Sequence, residues 1–221
     1  MSPRWLLTSV VAFVAGIVGV AGSGVASAQG ARERVIVEVA SADSTQATLT
    51  VIEQTTVGMR TVLGPVDARV GRNGVLRNHR EGDGTTPLGT FRITGAFGLG
   101  ASATTNLSYR RLRVDDCWIS DVADPAYNTR VRRPRCATPN EDLRRIAMAG
   151  PYEFALTTDY NSSPVVVGKG SAIFIHVHSY DGSGQTRPTS GCVSVSRTVM
   201  KRLLAILQPE DDPVLVVRIR R

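Results

Sequence analysis

Beyond Gln29 the chain is dominated by short runs in which apolar and polar side chains alternate. Arg34 to Val39 alternates in this way and Ala47 to Thr55 does so again, with Ala42-Asp43-Ser44 as the turn between them. A period of two lays one face of each run on a core, so the two runs are predicted to pair as an antiparallel hairpin. Gly58 to Val75 continues as strand-like pieces broken at Gly64-Pro65 and at Arg72-Asn73-Gly74. His79 to Gly89 is too rich in glycine and turn formers to be regular and predicts a loop leading into a strand over Thr90 to Thr94. Loops of this kind on a sheet scaffold often carry function. Phe154 to Tyr160 and Ser171 to His178 read as core strands, and Val214 to Ile219 as a closing strand.

Two helices complete the pattern. Thr138 as cap, Pro139 at the first helical position and Glu141 as partner of a capping box precede Leu143, Ile146 and Ala147, with Gly150 as the stop. Ser196 to Leu207 places Val199, Leu203, Ile206 and Leu207 on one face and ends before Pro209. There is no internal repeat. The expected fold class is mostly β with a few short helices, a single-domain sandwich or barrel over residues 29–221.

The N-terminus changes the picture by setting the compartment. One positive charge in Met1 to Arg4, an apolar run from Trp5 to Ala21 and the small-x-small end Ala26-Ser27-Ala28 predict a signal peptide over residues 1–28, cut between Ala28 and Gln29. Retention of the run as an anchor is the alternative, and membrane contact is expected only through this segment. The protein is therefore expected to be secreted or periplasmic and associated with the cell wall.

The chain carries a net charge of +7, nearly all from arginine, with Lys169 and Lys201 the two lysines. The arginines are scattered instead of clustered with aromatics, so no nucleic acid partner is expected, and a monomer is.

Three cysteines in an oxidising compartment leave one over. Cys117 and Cys136 flank a segment with little apolar surface, containing Asp124-Pro125 and Arg133-Pro134, and are predicted to form a disulfide that staples it. Closing such a loop contributes about 3 kcal/mol on the entropic account. Cys192 is then a free thiol, kept for chemistry unless it is an inert buried residue. It follows Thr189-Ser190-Gly191, and the run Ile173 to His178 precedes it, in which a period of two places His176 and His178 on one face. A thiol within reach of an imidazole is the arrangement of an activated nucleophile. The same residues, His176, His178 and Cys192, form an alternative zinc set. No metal and no cofactor are expected on balance, because the set lacks a fourth ligand and supporting shell.

Phe174-Ile175-His176 followed by Thr189-Ser190-Gly191-Cys192-Val193-Ser194, together with Asp83-Gly84-Thr85-Thr86-Pro87-Leu88-Gly89-Thr90-Phe91, resembles the signature of the L,D-transpeptidase catalytic domain, the YkuD-like family. Ser190 stands where many members carry histidine, and Ser194 where they carry arginine or asparagine. The resemblance implies a mostly β fold of that type and cross-linking of peptidoglycan stem peptides through an acyl-enzyme on Cys192. His176 would be the base, its other nitrogen held by the Val177 carbonyl or by His178, and the N–H groups about Gly191 and Cys192 would receive the oxyanion. The thiol and imidazole would form an ion pair near neutral pH. Thr189, Ser190, Thr86, Pro87 and Gly89 would line the substrate cleft, with Gly191 bare because a side chain would crowd the acyl group. An L,D-carboxypeptidase with water as acceptor and an inactive wall-binding protein are the competing functions.

Overall fold

The computed structural model describes residues 30–100 and 104–220, so the expected signal segment lies outside the described residues. The chain forms β1 (Glu33–Val39), β2 (Gln46–Thr55), β3 (Gly58–Arg69), β4 (Val75–Leu76), β5 (Thr86–Pro87) and β6 (Gly89–Gly98). A middle segment follows with β7 (Tyr109–Arg111), β8 (Asp116–Trp118), β9 (Arg130–Arg132), β10 (Glu141–Asp142) and α1 (Leu143–Met148). The C-terminal part holds β11 (Phe154–Thr158), β12 (Phe174–Val177), β13 (Val193–Val195), α2 (Arg197–Ile206) and β14 (Val214–Ile219). The fold is mostly β, as the alternation predicts.

Among the described residues, nine strands make one sheet in the order β11-β12-β13-β3-β2-β1-β14-β6-β7, and β11 also pairs with β6. That extra pairing closes the sheet into a barrel-like ring and leaves the short β7 at an edge. The predicted hairpin is β1 with β2, in register Val35↔Val51 and Val37↔Leu49, and β14 adds parallel to β1. Val35, Val37, Val39, Leu49 and Val51 are buried in the main core. Gly64-Pro65 does not break β3. The strand runs through with a register irregularity opposite Leu49 to Ile52, and Gly64, at φ +95°, is placed so that a Cβ would lie 2.4 Å from the Leu49 carbonyl oxygen.

Both helices differ from the pattern reading in detail. Thr138 and Pro139 do not start α1. Glu141 and Asp142 pair with Trp118 and Cys117, which commits that backbone to a small sheet, and Asp142 caps the helix by accepting from the Arg145 N–H at 2.9 Å. In α2 Ser196 is the cap, and the fully buried face is Met200, Leu203, Leu204 and Leu207, with Val199 and Ile206 only partly covered. The helix thus turns a broader stripe to the barrel than its Val/Ile spacing suggests.

β12 is buried on both faces. Ile175 and Val177 join the main core, while Phe174 belongs to a second cluster with Phe97, Leu112, Leu143, Tyr152, Ala155 and Cys192. Phe174 meets Trp118, Phe97 and Tyr152 edge to face at 4.8, 5.3 and 5.8 Å between ring centres. Each such pair adds about 0.5–1.5 kcal/mol to the area buried. Trp118 lies on the segment closed by the predicted disulfide, Cys117–Cys136, which is formed with Cα atoms 5.7 Å apart. The aromatic cluster therefore fixes the stapled segment over β12.

Candidate active site

The nucleophile candidate sits at the end of a turn whose shape is set by hydroxyls. Thr189 Oγ1 and Thr86 Oγ1 both donate to the Cys192 carbonyl, at 2.6 and 3.2 Å, and Thr86 Oγ1 accepts from the Gly71 N–H at 2.8 Å. Gly191 lies at φ +156°, and a Cβ there would stand 3.1 Å from the Thr85 carbonyl oxygen and 3.3 Å from Ile173 Cδ1. Its bareness permits this approach of loop and turn. Thr86, Pro87 and Gly89 belong to β5 and the start of β6 and do not line the cleft. The Asp83–Phe91 motif acts on the cleft from behind, through Thr86.

Cys192 is a free thiol, 7% exposed, that opens on a cleft of about 1000 Å³. His176, Ser190, Thr189 and Gly191 line the same cleft. His176 Nδ1 lies 2.7 Å from the Val177 carbonyl oxygen, so this nitrogen carries the proton and Nε2 is the basic one. Of the two holders expected from the sequence, the backbone carbonyl is the one present.

His178 does not share the cleft. β12 ends at Val177, the next N–H bonds the Val195 carbonyl at 2.8 Å, and the imidazole Nδ1 lies 2.9 Å from Ser194 Oγ, facing a separate cavity beside Arg69 and Thr186. His176 and Ser194 are register partners, so His178 stays on their side of the strand but lies farther along it, on another cavity. The set His176, His178 and Cys192 is consequently not assembled, and among the described residues no group of three His, Cys, Asp or Glu is arranged to hold a metal ion.

Electrostatically the resting pair is neutral, contrary to the expected ion pair. Burial pushes the Cys192 thiol up to about 12, helped by the nearby Glu141 carboxylate and opposed by the Phe174 N–H and the Tyr152 hydroxyl. Burial likewise takes His176 down to about 4. The sulfur accepts from the Phe174 N–H at 3.4 Å and donates to the Ala172 carbonyl at 3.1 Å. Ala172 is held at φ +55°, its own N–H bonded to Asn128 Oδ1 at 3.1 Å.

Several residues of the cleft carry no local sequence signal. Tyr152 donates to Glu141 Oε2 at 2.8 Å, lies beside the sulfur, and meets His176 edge-on at 5.3 Å between ring centres. Glu141 is raised to about 7 by burial. His79 lines the cleft from the loop before β5. Glu141 and Tyr152 both lie beyond the Cys117–Cys136 staple, and no local pattern in the sequence links them.

The model of the L,D-transpeptidase catalytic domain, YkuD, matches residues 34–216. The chain belongs to this family. No curated protein matches it. Membership of the L,D-transpeptidase family goes with a cysteine nucleophile and with action on the peptidoglycan of the cell wall, which suggests an extracytoplasmic place of work. Among the described residues of this family member no helix is long and apolar enough to cross a membrane.

Proposed function

We propose that the protein is exported by its segment 1–28 and is a cysteine-dependent L,D-transpeptidase of peptidoglycan stem peptides. The observation that carries the reading is the convergence of Cys192 and a His176 whose Nδ1 is engaged by the Val177 carbonyl in one cleft. As a stem peptide binds, His176 Nε2 takes the thiol proton while sulfur attacks the carbonyl between an L-centre and a terminal D-residue. The carbon–nitrogen bond breaks, the imidazolium returns the proton to the departing amine, and a thioester remains on Cys192. An acceptor amine then displaces the sulfur.

The developing oxyanion is assigned to the Cys192 N–H, which meets no acceptor among the described residues, whereas the Gly191 N–H is engaged by Thr189 Oγ1 at 3.1 Å. One such donor is worth about 3 kcal/mol. The Tyr152 hydroxyl lies beside the sulfur and supports the thiolate by turning its proton from Glu141 as the charge forms. Ser190, on the cleft wall, shapes the acceptor's approach.

Mass spectrometry after exposure to a stem tetrapeptide or a carbapenem tests the reading. An adduct on Cys192 is expected, with the mature chain beginning at Gln29, and Cys192→Ala is expected to lose both adduct and turnover while keeping its melting profile. A native protein that acquires no adduct would sink the proposal and leave a wall-binding role.

A further inference from the structure

His79 is the first of the chain's three histidines and lines the cleft with His176 and Cys192. It is 5% exposed, and its Nδ1 faces two oxygens, Asp83 Oδ1 at 2.9 Å and Thr85 Oγ1 at 3.0 Å. The loop is folded around that carboxylate, which also accepts from the N–H groups of Arg80 and Thr85 at 2.8 Å each. With the Nδ1 proton committed to Asp83, Nε2 is the basic nitrogen, and it makes no hydrogen bond among the described residues. Two glycines make room for the ring. A Cβ on Gly170 would stand 2.4 Å from Nε2, and one on Gly191, beside the nucleophile, 3.7 Å from Cε1. Glu81 and Asp121 on the same cleft favour a cationic guest, against the single guanidinium of Arg72.

We propose that His79, oriented by Asp83 and Thr85, is the base that deprotonates the acceptor amine, and that the wall carrying His79 and Glu81 is the acceptor subsite, taking a primary ammonium of a second stem peptide. The inference rests on the transpeptidase reading above and deepens it. A lysine-like amine, with a pKa near about 10.4, is almost wholly protonated at neutral pH and carries no lone pair for attack. His79 Nε2 takes one proton from the ammonium. The freed lone pair forms the nitrogen–carbon bond to the thioester, the carbon–sulfur bond breaks, and a second proton passes from the new amide nitrogen through His176 to the departing Cys192 sulfur. His79 then returns its proton to water, so a new amide and a free thiol are the products.

Two histidines in one cleft thus divide the work, His176 at the sulfur and His79 at the acceptor. The groups facing His79 are Asp83 and Glu81 from its own loop and Tyr160, edge-on at 5.7 Å, from beyond β11, with Tyr127 donating to Glu81 at 2.6 Å. Burial outweighs the two carboxylates and lowers the pKa of His79, which keeps it neutral and receptive near pH 7.

The test follows the acyl-enzyme and its fate in the full chain, with a donor tetrapeptide and Nα-acetyl-lysine as acceptor. His79→Gln is expected to accumulate acyl-enzyme and to cut amine transfer at least tenfold, so that hydrolysis takes a larger share of product. Asp83→Asn, at a partly exposed position that keeps an acceptor oxygen, guards against misfolding of the first variant. Removing the carboxylate that raises the pKa of His79 should move the acid limb of the transfer rate to lower pH. An unchanged partition between amine and water, with an unmoved limb, overturns the proposal. So does loss of acyl-enzyme formation in folded variants, which would tie His79 to Cys192 instead. Absence of any adduct in the native protein would remove the transpeptidase reading, and this inference with it.

Discussion

The Cys192 thiol is stored in its protonated form. A free thiol has a pKa near about 8.5 and is a few per cent ionised at pH 7, whereas this one is pushed up to about 12 by burial. Iodoacetamide is therefore expected to modify Cys192 of the substrate-free protein at least tenfold more slowly than a cysteine peptide at pH 7, with a rate still climbing above pH 9. A plateau beginning near pH 6 would instead reveal a resting ion pair. Thr86 carries a second prediction at this scale. Thr86→Val leaves the buried Gly71 N–H and one bond to the Cys192 carbonyl without their partner, at a cost of about 1–3 kcal/mol. Thr86→Ser should recover most of that in thermal unfolding, and a Val variant as stable as the native protein would show the bonds to be immaterial. Cys192 and His176 were legible because a glycine-flanked free cysteine and a strand histidine are local patterns. Tyr152, Glu141 and His79 were not, since their contacts with the cysteine turn span 40 to about 110 positions of chain with no shared periodicity.

At the scale of elements, α1 separates what capping chemistry suggests from what pairing enforces. Thr138, Pro139 and Glu141 satisfy the capping pattern, yet Glu141 and Asp142 are drawn into a ladder with β8 and the cap passes to Asp142. Asp142→Ala should cost about 1 kcal/mol in chemical denaturation, as loss of an N-cap does. Thr138→Ala should cost less than half of that. The opposite ranking would restore the sequence reading. β12 shows the same limit. Its alternation puts His176 and His178 on one side, yet the two-residue step along the chain takes the second imidazole to Ser194 and another cavity. A two-residue spacing sets the side of the strand a residue takes, and not the cavity it opens on.

At the scale of the whole molecule, closure of the barrel through β11 and β6 buries the hairpin strands, and the first and last strands of the described residues meet as the parallel pair β1 and β14. One consequence is a buried acid near the seam. Glu33 is raised to about 7 by burial, with Asp211, Glu53 and Glu210 adding to the shift and the Gln208 N–H opposing it. Its carboxyl is neutral in the folded state where the unfolded chain has already ionised, so the stability it confers is complete below about pH 4.5 and is lost as pH rises through 7. Glu33→Gln, which keeps an acceptor for the Gln208 N–H, should thus raise the melting temperature at pH 8 by a few degrees and bring no gain at pH 4.5. Equal effects at both pH values would exclude the linkage. The sequence by itself determined the β-rich class, the disulfide, the free thiol and the family motifs, because alternation, cysteine parity and short-range spacing are properties of neighbouring residues. Only the tertiary structure decided which histidines face the thiol, how its proton is held and what backs the cysteine turn. Those depend on burial and on pairings between distant segments, and neither is written in any local stretch of chain.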